Sequence, residues 1–131
     1  MEADALAGKK SLGLTEAELR LMQVLWKRGS ATVSAVVDDL PKSVPLAYST
    51  VLTTLRILET KGYVAHAKDG RAFIYRPVVG EEEARESAIG HLVRRFFDGS
   101  PELLVLKLIE REKIGPKELK RLRQRIEEDK A

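Results

Sequence analysis

The chain has 131 residues, is 44% hydrophobic and 33% charged, carries a formal net charge of +3 and contains no cysteine. That length suits one compact domain with an appended piece, and a catalytic domain with a deep cleft would be a tight fit. No run reaches the roughly eighteen apolar residues of a membrane span, residues 1–13 lack the apolar core of a secretory signal, and disulfides, thiolate metal sites and a cysteine nucleophile are excluded, so a cytoplasmic protein with no membrane partner is expected.

Residues 1–13 are read as a flexible N-terminal segment. Thr15-Glu16-Ala17-Glu18 has the form of a capping box, flanked by Leu14 and Leu19 as a hydrophobic staple. The first helix is predicted to run to about Lys27, bury Leu19, Met22, Leu25 and Trp26, and stop at Gly29. A second helix starts near Thr32, with Val33, Val36, Val37 and Leu40 spaced i, i+3, i+4, i+7 as one buried stripe, and Pro41 ends it. The third runs from residue 47 or 48 to Lys61, closed by Gly62 in the left-handed conformation.

At about 100° per residue, Tyr48, Val51, Leu55 and Leu58 of that third helix fall within a sector of about 90°, read as its core face. The opposite side carries Ser49, Thr50, Thr53, Arg56, Ile57 and Thr60, small or hydroxylated except for one cation and one apolar residue. Strands over residues 63–67 and 72–76 follow, folded about Lys68-Asp69-Gly70-Arg71, where Asp-Gly can adopt the positive φ angles of a two-residue turn. Phe73 and Tyr75 then project to one face of the hairpin and Ile74 and Arg76 to the other. Three helices followed by a basic hairpin is the order of a winged helix-turn-helix.

Beyond Pro77, residues 81–97 read as a long helix with Ala88, Ile89, Leu92, Val93, Phe96 and Phe97 on one side. Ser100-Pro101-Glu102 supplies an N-cap, a first-position proline and an acidic first turn to another helix, whose run LLVLKLI is apolar nearly all round. Gly115-Pro116 opens a last helix, expected to bury Leu119, Leu122 and Ile126. The apolar surface of this region is best covered by a second copy of the chain, and the expected dimer interface comprises Ile89, Leu92, Val93, Phe96, Leu103, Leu104, Leu106, Ile109 and Leu122.

Charge is unevenly spread: residues 42–76 hold six basic and two acidic side chains, whereas from residue 79 onward acids and bases number twelve each. A helix entering the DNA major groove needs short side chains that let its backbone approach, with donors for base edges and phosphates. Ser49, Thr50, Thr53, Arg56 and Thr60 meet that need, and Lys68, Arg71 and Arg76 on the hairpin would grip phosphates, so binding should weaken with salt. Glu81-Glu82-Glu83 complements a helix N-terminus, and His66 and His91 lack partners at ligand spacing. No phosphate loop or nucleophile elbow is present. An enzyme is not expected, nor a metal or other cofactor.

The run AYSTVLTTLRILETKGYVAHAKDGRAFIYRP, with LTEAELRLMQVLW before it and FFDGSPELLVLKLIE after it, resembles the penicillinase and methicillin-resistance repressor family, the BlaI/MecI/CopY type of transcriptional regulator. The resemblance covers about residues 14–126. It implies a homodimer joined through C-terminal helices that binds a palindromic operator and blocks transcription, with Ser49, Thr50, Thr53 and Arg56 in the major groove and Lys68 and Arg71 on the backbone. Some relatives of this type are relieved by proteolysis at an Asn-Phe bond; the corresponding LVLKLIE here carries Lys107-Leu108 instead. The copper-responsive branch uses a cysteine cluster, which this chain lacks.

The expected fold is therefore mainly α with a small β-hairpin: a winged-helix domain over residues 14–78 followed by a helical dimerisation region over 79–131. The expected function is a dimeric, sequence-specific repressor whose partners are double-stranded operator DNA and a second copy, with a regulatory protease or sensor left open. The alternatives are a winged-helix protein-interaction module and a regulator with a small-molecule pocket at the dimer helices.

Overall fold

The computed structural model describes residues 13–130, so the flexible segment expected over 1–13 lies, Gly13 apart, outside the described residues. The chain divides into two compact units, the first running through His91 and the second from Leu92.

The first helix, α1 (Glu16–Arg28), opens with the predicted capping box: the Thr15 N–H donates to Glu18 Oε1 at 2.9 Å and the Glu18 N–H to Thr15 Oγ1 at 3.2 Å. It buries Leu21, Met22, Val24 and Leu25. Leu19 and Trp26, expected in the core, are only half-buried. The buried stripe is Glu18-Leu21-Met22-Leu25, and those two side chains fall on its shoulders. The Trp26 indole N–H uses that position to donate to the Val79 carbonyl at 2.9 Å, as a tryptophan with one polar edge requires.

A short strand not anticipated above, β1 (Ala31–Thr32), precedes α2 (Val33–Asp39), where the Thr32 hydroxyl caps the helix by accepting from the Ala35 N–H at 3.1 Å. Val33, Val36 and Leu40 are buried, and Val37 is half-buried at the stripe's edge. After the loop through Pro41 and Pro45, α3 (Tyr48–Lys61) ends as predicted at Gly62, whose φ of 88° and ψ of 13° place it in the left-handed region.

The core face of α3 needs one correction. Val51, Leu55 and Leu58 are fully buried, but Tyr48 is 53% exposed, and Thr54 takes the fourth buried position at 8%. Tyr48 sits in the first turn, on the rim of an open hollow that it shares with Thr32, Val33 and Ser34. Thr54 tolerates burial because its hydroxyl donates to the Thr50 carbonyl one turn back at 2.7 Å.

Strands β2 (Val64–Asp69) and β3 (Ala72–Pro77) form an antiparallel hairpin, and β1 adds to the outer edge of β3 to give a sheet of order β1-β3-β2. The hairpin turn is shifted by one residue from the expected Asp-Gly: Asp69 pairs with Ala72, which leaves Gly70-Arg71 as the two-residue loop. Gly70 alone of these two has positive φ, 62°, and glycine at the first loop position suits a type II′ turn, whereas Asp-Gly would need positive φ at both. Tyr75 is buried while Arg76 faces out, and Tyr63 receives backbone N–H bonds from Val78 and Val79 at 2.8 and 3.2 Å.

Helix α4 (Glu81–Phe96) runs from the first unit into the second, followed by α5 (Pro101–Arg111) and α6 (Pro116–Lys130). The Ser100 hydroxyl caps α5 by accepting from the Leu103 N–H at 3.2 Å. Leu119, Leu122 and Ile126, expected to be buried, are exposed in the single subunit. Their helix is highly charged around one apolar stripe, and no core within the described unit encloses that stripe. No helix among the described residues is long and apolar enough to cross a membrane.

One ion pair ties α1 to α3. Lys61 Nζ lies 2.8 and 2.9 Å from the two oxygens of Glu18, whose side chain is 5% exposed. Burial opposes ionisation of Glu18, but the Lys61 ammonium and the Thr15 backbone N–H outweigh it and hold the carboxyl below its ordinary 4.5. Lys61→Met, which strands the carboxylate, should cost about 2 kcal/mol in urea denaturation at pH 7, below the ~3–5 kcal/mol of a fully enclosed pair, because Lys61 keeps 27% exposure. The contribution of Glu18 is complete above pH 4.5 and is lost as pH falls through the lower folded-state value. Glu18→Gln should therefore show a smaller loss of stability on acidification than the unmodified chain.

Candidate nucleic-acid interface

The outward side of α3 presents Ser49, Thr50, Thr53, Arg56, Ile57 and Thr60, all exposed. They are held there because Val51, Leu55 and Leu58 on the opposite side have no exposure at all. The Thr60 hydroxyl turns back on its own helix, donating to the Arg56 carbonyl at 3.1 Å, whereas Ser49, Thr50 and Thr53 project from the first two turns.

The hairpin tip closes on the same end of α3. Arg71, Ala72 and Phe73 share a hollow of about 190 Å³ with Tyr48 and Leu52 of α3 and Thr32, Val33 and Ser34 at the start of α2. Lys68 is exposed and its ammonium stands 5.9 Å from the centre of the Phe73 ring, directly across the ladder from it. Such a placement over an aromatic face is mildly favourable and limits the wandering of a long side chain. Lys68 and Arg71 thus flank the tip as expected.

Arg76 is not brought to that place. It pairs with Ala65 near the base of the hairpin, about 13 Å along the strand from Ala72 at the usual rise per residue, and strand alternation turns it to the face opposite Tyr75.

Between helix and hairpin lies a seam that the reading of the sequence missed. Tyr75 is 2% exposed, and its phenol is pushed up first by burial and then by the Glu59 carboxylate, while the Arg56 guanidinium beside it pulls the other way. His66, directly opposite Tyr75 in the ladder, has Nδ1 at 2.8 Å from both Glu59 oxygens. Since a carboxylate only accepts, Nδ1–H is the donor. The His66 ring also meets Phe73 edge-on at 5.1 Å and Tyr75 at 5.4 Å. The signal was present: Tyr48, Leu52 and Glu59 recur at i, i+4 and i+11 along one edge of α3, and alternation from buried Val64 puts His66 on the inner face of β2.

In the second unit, Leu92, Phe96, Leu103, Leu106 and Leu122 are exposed, as is Ile89 at the end of the first. Leu104 and Ile109 are half-buried, and Val93 is already covered in the subunit at 9% exposure.

A three-helix domain with a buried rear to its third helix, a polar front, and a basic-tipped antiparallel sheet alongside is a winged-helix protein. The fold is similar to that of an ArsR-like transcriptional regulator from Rhodococcus sp. RHA1, with a TM-score of 0.52 over 83% of this chain and 96% of that one at 22% identity. Residues 14–128 match the penicillinase repressor family, and the chain belongs to that family. It is 33% identical over 122 residues to the penicillinase repressor of Bacillus licheniformis, covering 93% of this chain and 95% of the relative. It is 32% identical over 117 residues to the transcriptional regulator BlaI of Mycobacterium tuberculosis (strain CDC 1551 / Oshkosh), covering 88% and 83% respectively.

The two tyrosines should separate cleanly by substitution. Tyr75→Ala empties a core site and should destabilise the first unit by about 3 kcal/mol or more, read as a lowered denaturation midpoint. Tyr48→Ala, at an exposed position, should stay within about 0.5 kcal/mol of the unmodified chain.

Proposed function

We propose that the chain is a homodimeric, sequence-specific DNA-binding transcriptional repressor that recognises a palindromic operator. Ser49, Thr50, Thr53 and Arg56 read the major groove from α3, with Thr60 at the margin, and Lys68 and Arg71 hold the flanking backbone. The observation that carries this reading is the pairing on one side of the first unit of a flat, hydroxylated helix face with a cationic hairpin tip. Short side chains let a helix backbone approach base edges, and a single long guanidinium can reach a guanine's paired acceptors. The relatives' names, a penicillinase repressor and a transcriptional regulator, support the same reading. Arg76 is left to a backbone contact away from the tip or to none.

The second unit supplies the dimer. Leu103, Val105, Leu106 and Leu108 of α5 are all 43–52% exposed, and burial of each would contribute about 1.5–3 kcal/mol. A two-fold pairing through this surface suits a protein whose recognition helices read half-sites about one helical turn apart.

Arg56→Ala should abolish operator binding in a fluorescence titration while sedimentation still shows a dimer; unchanged binding would remove α3 from the groove. Leu106→Glu should dissociate the dimer and weaken operator binding together. Binding by the unmodified chain should fall steeply between low and moderate salt, with a log–log slope of about −0.9 per phosphate neutralised. Affinity that ignores salt and does not distinguish promoter from scrambled DNA would favour the protein-interaction alternative.

A further inference from the structure

The Glu59–His66 pair lies beside the surface just assigned to DNA, yet neither residue belongs to its basic or hydroxylated set. Glu59 is an anion in the last turn of α3, an unfavourable charge near phosphates unless it is engaged elsewhere. Its carboxylate is engaged: both oxygens lie 2.8 Å from His66 Nδ1 on β2.

The ladder ties β3 to β1 as far as Ile74, but from Phe73 to the turn the hairpin is two-stranded and its own ladder does not set the tilt of the tip against α3. The base of this one is anchored by buried Val64 and Tyr75. Past them toward the tip, Phe73 is 37% exposed and Lys68 and Arg71 are exposed. His66 stands where the buried contacts end; its side chain is 39% exposed, and its ring meets Phe73 edge-on and Tyr75 at a tilt. Glu59 in turn projects from the end of α3 that Lys61 fastens to Glu18. A helix end fastened to α1, one N–H shared between two carboxylate oxygens and a ring flanked by two aromatic side chains make a strut from the core to the hairpin.

We infer that Glu59 and His66 are positioning residues for DNA recognition: they fix the angle of the hairpin to α3 and so place Lys68 and Arg71 on the backbone, touching no DNA themselves. This rests on the DNA-binding reading of α3 and the hairpin.

A thermodynamic cycle on operator affinity in the full-length protein tests it. Glu59→Ala should weaken binding by about tenfold in the unmodified background and by less than about twofold in the Lys68→Ala/Arg71→Ala background, because the strut acts only through the tip. His66→Phe, which keeps an aromatic ring but removes the donor, should behave the same way, and Glu59→Gln, which keeps an acceptor, should restore most of the affinity. Melting temperatures measured alongside should stay within about 2 °C of the unmodified chain. An equal loss in both backgrounds, no loss in either, or tighter binding on removal of the anion would overturn the assignment, as would a Lys68→Ala/Arg71→Ala protein of undiminished affinity. Arg56→Ala separates the two layers: if it leaves binding intact the DNA reading itself fails, and if it abolishes binding while the cycle is additive only the strut falls.

Discussion

The carboxylate of Glu18 closes one helix and fastens another. One of its oxygens accepts the free Thr15 N–H at the start of α1, and both oxygens hold the Lys61 ammonium at the end of α3. A nearly buried anion is tolerable only when its bonds are met from both directions, so the pair is sensitive to the mutual placement of the two helices. Apolar contact among Leu21, Leu25, Leu55 and Leu58 supplies most of the attraction between them, but apolar contact is non-directional. The ion pair adds direction, and the outward face of α3 depends on the rotation that results.

The hairpin is set by a second, lighter group of contacts. Tyr75 enters the core, the Val79 carbonyl takes the Trp26 indole N–H, and Tyr63 gathers the chain leaving β3 through two backbone bonds. These tie down the base of the sheet, and β1 pairs with the same stretch through Ala31 and Thr32. Past Ile74 the tip keeps its own ladder and meets the helices through side chains. That gradient, from a ladder embedded in the core to an exposed two-residue loop, gives the sheet a firm root and an adjustable end.

Much of this was legible in the residues. The capping box, the glycine stops at Gly29 and Gly62, the Ser100 cap and the hairpin each rest on a local rule that tertiary contact does not override. The misreadings share a cause: they concern which neighbour arrives. Tyr48 has the helical phase of a core residue and lacks a partner to bury it, while Thr54 has the hydroxyl of a surface residue and is covered. Leu119, Leu122 and Ile126 form a clear stripe, but periodicity reports a face and not what meets it. β1 is two residues long, too short for any alternation to show. The turn slipped by one because Asp69-Gly70 and Gly70-Arg71 are both plausible loops, and only pairing across the ladder decides between them. The seam between Glu59 and His66 joins residues from elements of different periodicity and would emerge from the sequence only after the two had been docked.

On α3, the residues that hold the helix and the residues that face outward are different residues. Val51, Thr54, Leu55 and Leu58 carry the burial, while Ser49, Thr50 and Thr53 stand clear of the core. Exchange of the latter three is therefore nearly free of folding cost, and a lineage can try new outer faces one side chain at a time without passing through an unfolded ancestor. The scaffold is in this sense separable: drift at three small positions changes the outer face of α3 and leaves the architecture as it was.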